Sequence, residues 1–472
     1  MSDIGVLTTF FKAIIDASRF YKNPEFETIQ LHGGQIPDSD TRARAVPIYQ
    51  TASFCFRDAD HAAEVFNMND PAFAYTRLSN PTIAAFEQRM AQLEGGTAAV
   101  ATGSGQGAQF VAVAALVRAG DNIVSSLNPS FFQLIFSISM FVIPHHVCAH
   151  SRTVLYLAIW KNFGVSVNFV SSADPDAFAA AIDENTKAIF IEVMGNPSLV
   201  MFDIASLAEV AHNHRIPLIV DNTFGVGGYL IRPFDHGADI IIHSATKWIG
   251  GHGTTIGGVI IDSGKFDWHS GKFPALTSPY RGVVYSEKFG SNAYAAKVRT
   301  DMAFTGSCMN PFGAFLLLQG LETLSLRAER HSANGMALAK WLVKHPKVAW
   351  VSYHGLESNE FHQLAKKLMR SGLFGGMVNF AIKGGLPKAC KFINSLKLVS
   401  NLANIGDAKT LITQPGATIS VLGEEDAALT GITEDMLRLS TGLEAINDII
   451  ADFEGAFEVT FSEDEVVSPA ID

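Results

Sequence analysis

The sequence predicts an α/β fold, with a mostly parallel central sheet followed by a smaller α+β C-terminal domain. Three observations carry this. Short apolar runs alternate with helix-like segments through the middle of the chain. Glycine- and aspartate-containing turns punctuate those runs. The texture then changes after about Phe312, where a long helical pattern precedes further strand-like runs.

Taken in order, residues 98–101 read as a strand. The turn Thr102-Gly103-Ser104-Gly105-Gln106-Gly107 follows, then a helix to about Arg118 that Gly120-Asp121 ends. Residues 122–126 read as the next strand, and 188–193 and 217–220 as two more, with a helix over 207–214 between them. Residues 240–243 read as another. Such β-α-β steps put parallel strands in one sheet with helices on both faces. Residues 315–343 read as a long helix broken near His331-Ser332, and 348–353 and 377–382 as strands. The expected organisation is an N-terminal arm over 1–70 that packs on a neighbour, a large domain over 71–311 and a small domain over 312–472.

Composition narrows the function classes. With 48% apolar and 17% charged residues the chain is globular rather than disordered. A net charge of -11 argues against nucleic acid, which needs a basic face. Cys55, Cys148, Cys308 and Cys390 show no CxxC spacing, which suits a reducing cytosol, so a cytoplasmic location is expected. The apolar stretch at 6–15 follows Asp3 rather than a basic segment, unlike a secretory signal. Lys12, Arg19 and Lys22 leave an organelle-targeting reading open. The stretch at 131–144 is shorter than the about 20 residues a spanning helix needs, so no membrane segment is expected. His145, His146, Cys148 and His150 fit no common zinc spacing, and no metal is expected.

The chemistry-bearing string is His243-Ser244-Ala245-Thr246-Lys247-Trp248-Ile249-Gly250-Gly251-His252-Gly253, directly after an apolar strand. A lysine that forms an imine must lose its proton readily, and a desolvated site permits this. Ser244 and Thr246 can donate to a phosphate beside it. The residues alone also fit a surface lysine before a glycine loop. Gly103-Ser104-Gly105-Gln106-Gly107 sits at a strand-to-helix turn, where backbone N–H groups hold a phosphate, although most glycine turns are only turns. Asp221 ends the apolar run at 216–220, where α/β ligands bind, or acts as a helix cap or turn residue.

The lysine string closely resembles the lysine motif of the pyridoxal-phosphate-dependent Cys/Met-metabolism (trans-sulfuration) family. The likeness runs from about Thr28 to about Phe457. Within the family, three stretches resemble the O-acetylhomoserine sulfhydrylase branch of fungal type: residues 263–289, 316–324 and 402–410. The resemblance implies a fold type I, aspartate-aminotransferase-like architecture and pyridoxal 5'-phosphate on Lys247. It implies that Gly105, Gln106, Ser244 and Thr246 hold the phosphate, that Asp221 pairs with the ring nitrogen, and that Asn196, near Glu192, meets the ring hydroxyl. It implies that Tyr75 and Arg77 reach the neighbouring subunit's phosphate in a homo-oligomer, a homotetramer. Arg438 would grip the substrate carboxylate, with Asn404 as a second contact. Read on residues alone, Tyr75 and Arg77 fit an exposed loop, and Arg438 fits a strand-edge arginine paired with Glu434.

The implied activity is that of a transferase of the O-acetylhomoserine aminocarboxypropyltransferase type, converting O-acetylhomoserine and sulfide to homocysteine and acetate in methionine and cysteine biosynthesis. Cystathionine γ-synthase or methionine γ-lyase activity is the alternative. A third alternative is a catalytically impaired member, because the sequence departs from the pattern. The family's Leu-Tyr-Gly-Gly-Thr turn, whose tyrosine stacks on the ring, is replaced after Ser126 by Leu127-Asn128-Pro129-Ser130 and an atypical run over 127–154. That connection is roughly 20 residues longer than the family's. Its Phe/Ile/Ser-rich texture is that of translated non-coding sequence, such as a retained intron; a mature transcript reading continuously through it would refute this. Gln414-Pro415-Gly416-Ala417-Thr418-Ile419-Ser420 also lacks the histidines common at both ends of that segment.

Overall fold

A computed structural model describes residues 24–126, 160–280, 282–415, 433 and 435–462. The run at 127–154, with its histidines and Cys148, Glu434 and most of the segment after Gln414 lie outside the described residues.

The large sheet contains β1 (Ala98–Thr102), β2 (Asn122–Ser126), β3 (Ser166–Val170), β4 (Thr186–Glu192), β5 (Leu218–Asp221), β6 (Ile240–Ser244) and β7 (Gly258–Asp262). Its order is β1-β7-β6-β5-β4-β2-β3. β7 runs antiparallel to both neighbours, and the other pairings are parallel. The apolar runs read as strands for a physical reason. Ile189, Phe190, Ile191, Ile219, Val220, Ile240, Ile241 and Ile242 are all fully buried, because helices cover both faces.

A second sheet contains β8 (Val348–Ser352), β9 (Met377–Ile382), β10 (Ser400–Asn401), β11 (Leu411–Thr413) and β12 (Met436–Ser440), in the order β10-β11-β12-β9-β8. Helix Ile446–Phe461 packs beside it through Ile449, Phe453, Ala456 and Phe457. The long helical pattern is in fact two helices, Pro311–Leu321 and Leu324–Lys344. The expected break at His331-Ser332 does not occur. Both side chains are buried in a continuous helix and bonded to partners outside it: His331 Nδ1 to Thr441 O, and Ser332 Oγ accepting from Phe374 N. Their polarity interrupts the pattern without interrupting the helix. In the expected arm, helix Phe26–His32 docks on its own chain, where Gln30 and Ser325 exchange two hydrogen bonds.

Three buried groups set a pH dependence. His331 donates from Nδ1 to Thr441 O at 2.6 Å, and its Nε2 has no partner. His354 donates from Nε2 to Leu199 O at 2.8 Å, and its Nδ1 has none. Burial lowers both histidines to about 4 from 6.5, and it pushes Asp262 up to about 7 from 3.8. Between about pH 4 and 6.5 the unfolded chain binds two histidine protons that the folded chain refuses, and the folded chain keeps one extra on Asp262. These three groups together contribute a rise in stability of about 1.4 kcal/mol per pH unit across that window, then a small fall from about 6.5 that ends once Asp262 ionises near 7. Denaturant unfolding at stepped pH checks this; a flat profile contradicts it.

Candidate active site

The C-terminal ends of β4, β5 and β6 lie side by side. Glu192 pairs in register with Asp221, and Asp221 with Ile242, two residues before Ser244. Beyond β6, Ser244 faces Gly258 of β7, and Gly258 faces Thr102 of β1. This register carries the turn after β1 across to the lysine strand. A Cβ on Gly258 would lie 2.2 Å from Ser104 O, so only glycine lets that backbone cross. A Cβ on Gly105 would lie 2.7 Å from Ser244 Cβ. The start of helix Gly105–Ala114 is thus pressed on Ser244, with Ser104 capping it through Gly107 N.

Lys247 follows β6 in a tight turn closed by Gly251 N on Lys247 O at 2.8 Å. Its Nζ donates to Asn404 Oδ1 at 2.7 Å. Asn404 lies in the loop before β11, on the second sheet's side. Arg438, on β12 and buried, donates from Nη1 to Asn196 Oδ1 at 2.9 Å and from Nη2 to Asn404 O at 3.4 Å. Asn196 precedes Pro197 across a cis peptide after β4, and Asn379 of β9 holds Pro197 O at 2.6 Å. Four residues singled out from sequence therefore form one connected set: Lys247, Asn404, Arg438 and Asn196.

Asp221 is buried, and no cationic side chain pairs with it among the described residues. Its Oδ1 accepts from Thr223 N at 3.0 Å and Thr223 Oγ1 at 2.6 Å, and its Oδ2 from Gln109 Nε2 at 2.8 Å. Thr223 Oγ1 also accepts from Ser244 N at 2.9 Å, tying β5 to β6.

Tyr75 and Arg77 stand apart. Both are exposed; Arg77 donates to Ala303 O, and its guanidinium lies 5.5 Å from the Tyr75 ring centroid. The structure joins neither to Lys247 or Asp221.

Residues 27–458 match the model of the Cys/Met metabolism PLP-dependent enzyme family. The chain belongs to that family. It is similar to homocysteine synthase of Schizosaccharomyces pombe, 51% identical over 447 residues, covering 93% of this chain and 99% of the relative. It is similar to homocysteine/cysteine synthase of Saccharomyces cerevisiae, 46% identical over 460 residues, covering 93% and 98%. A Campylobacter jejuni structure solved with a pyridoxyl-lysine monophosphate residue is 35% identical, with a TM-score of 0.84, covering 92% of this chain and all of that one. The architecture is thus fold type I.

The residues present fit the cofactor this PLP-dependent family takes. Asp221 offers a buried carboxylate without a cationic partner, as a protonated ring nitrogen requires. The helix start pressed on Ser244 brings the positive end of the helix beside that hydroxyl, where a phosphate is favoured. Lys247 supplies the amine. A methyl at position 105 would enter this junction. Gly105→Ala is expected to weaken cofactor binding about 10–100-fold, the effect of an overpacking cost of about 1–3 kcal/mol. Titrating apoprotein with cofactor checks this; unchanged affinity contradicts it.

Sequence reasoning missed four supporting residues. Gln109 and Thr223 both hold Asp221; Gln109 was detectable by its helical spacing of three from Gln106. Buried Arg327 donates to Trp248 O at 2.7 Å, Ile249 O at 3.3 Å and Gly320 O at 2.7 Å, clamping the turn after Lys247. Behind the sheet, Glu94 Oε1 bonds His243 Nε2 at 2.5 Å and Asn222 Nδ2 at 2.8 Å. No local pattern marks Arg327 or Glu94, because their partners lie far along the chain. Among the described residues there is no group of His, Cys, Asp and Glu able to hold a metal, and no helix long and apolar enough to cross a membrane.

Proposed function

We propose that this chain replaces the acetate of O-acetyl-L-homoserine with sulfide, giving L-homocysteine and acetate. The observation that carries the reading is the connected set Lys247–Asn404–Arg438 at the strand ends, in a chain resembling homocysteine synthases over nearly their whole length. When bound, pyridoxal phosphate supplies the electron sink for carbanion chemistry. Arg438 binds the α-carboxylate through its planar fork, with Asn404 beside it, and so orients the Cα–H bond. Lys247 Nζ takes the Cα proton and relays a proton from Cβ; acetate then leaves Cγ with the C–O electron pair, sulfide adds there to form the C–S bond, and protons return to Cβ and Cα. Asp221 keeps the ring nitrogen protonated; Gly105, Gln106, Ser244 and Thr246 hold the phosphate; Asn196 faces the ring hydroxyl. Tyr75 and Arg77 serve a neighbouring subunit's site in a homotetramer, which their exposure supports. The location is cytoplasmic, which the scattered cysteines support.

Purified protein is assayed with O-acetylhomoserine and either sulfide or cysteine, and with methionine alone. Homocysteine from sulfide supports the reading. Cystathionine from cysteine, or methanethiol from methionine, as the main product replaces it with a γ-synthase or a γ-lyase.

One observation favours a second reading, a chain that binds cofactor but turns over slowly: Leu127-Asn128-Pro129-Ser130 stands where the family's tyrosine turn is expected. Visible absorption of lysine-bound cofactor together with negligible homocysteine formation would select it.

A further inference from the structure

We propose that Gln109 is a positioning residue for Asp221, holding its carboxylate so that one acceptor site, on Oδ2, remains for the proton of the cofactor's ring nitrogen. The proposal rests on the family's cofactor and not on the substrate, so its failure leaves the sulfhydrylase reading untouched.

The count of lone pairs leads there. An ionised carboxylate accepts only, at about four sites, two on each oxygen. Thr223 N and Thr223 Oγ1 take both sites on Oδ1. Gln109 Nε2 takes one on Oδ2, at 2.8 Å. The remaining site is the second one on Oδ2. The amide must turn its nitrogen to the carboxylate, since two acceptors cannot bond each other.

Stability does not account for a glutamine at this position. Its side chain is buried at 6% exposure, and its Oε1 has no partner. A buried unsatisfied carbonyl is destabilising, and an unbranched apolar side chain of the same length would avoid it. The feature that only the amide provides is the N–H donated to Asp221. That bond draws charge from Oδ2, making it a weaker base, so the proton stays on the ring nitrogen. With cofactor bound, Asp221 and Gln109 would in this way keep the ring electron-withdrawing, so that the nitrogen of Lys247 would give up its proton more readily.

The test uses Gln109→Met and Gln109→Leu in the full chain, with two readouts. Without cofactor, both variants should still fold and melt cooperatively, because the orphaned carbonyl that is removed offsets part of the loss of the donor to Asp221. With cofactor, the pH midpoint of the visible absorption of the lysine-bound species should rise by roughly one unit. A midpoint that stays or falls overturns the proposal. So does the loss of cooperative melting without cofactor, which would make Gln109 a packing residue.

Discussion

Lys247→Arg abolishes the visible absorption of the lysine-bound cofactor and lowers homocysteine formation at least about 10³-fold. The parent amine is held by Asn404 Oδ1 at 2.7 Å, between the lysine turn and the loop before β11. Arginine keeps the positive charge and much of the length, so the contact with Asn404 and the fold persist. A guanidinium stays protonated in proteins, so it neither condenses with an aldehyde nor removes a Cα proton. Absorption spectra and turnover are measured beside a melting curve. Colour and product that both survive in a folded variant would overturn the assignment.

Arg438→Lys lowers kcat/KM for O-acetylhomoserine about 10²-fold, and Arg438→Met about 10³-fold, corresponding to roughly 3–4 kcal/mol. Arg438 sits on β12 and holds Asn196 Oδ1 and Asn404 O from two nitrogens of one plane. Lysine retains a charge but cannot present two parallel N–H groups to a carboxylate. Methionine leaves the partners' acceptors facing an apolar chain. The visible absorption should persist in both variants, because the amine of Lys247 is intact. A variant that loses colour while retaining its KM would place Arg438 on the cofactor instead of the substrate.

Much of this site is readable in the chain because its parts are local. The lysine string, the glycine turn and the aspartate each follow an apolar strand whose register brings them to one edge. The strands read at 122–126 and 377–382 have those bounds in the structure. Other features resisted reading because distant partners decide them. β7 lacks a strong alternating pattern and runs against its neighbours. β10 and β11 are two and three residues long, too short to register as periodicity. His331 looks like a helix breaker until Thr441 is placed beside it. Gln109 looks like an ordinary helical polar residue until Asp221 is placed beside it.

The hydrogen bond between Glu94 and His243 carries one more consequence. Glu94 reaches the residue that follows β5 through Asn222 and β6 through His243, each adjacent in sequence to Asp221 or Ser244, and successive residues of an extended chain point to opposite faces. The carboxylate acts as a keystone from the rear of the sheet. In a saturation-mutagenesis survey, intolerance would therefore extend to positions 94, 222 and 243, which no ligand at the strand ends would touch. A variant map of this chain would show two scars, one on the rim of the pocket and one on the opposite side of the strands that form it.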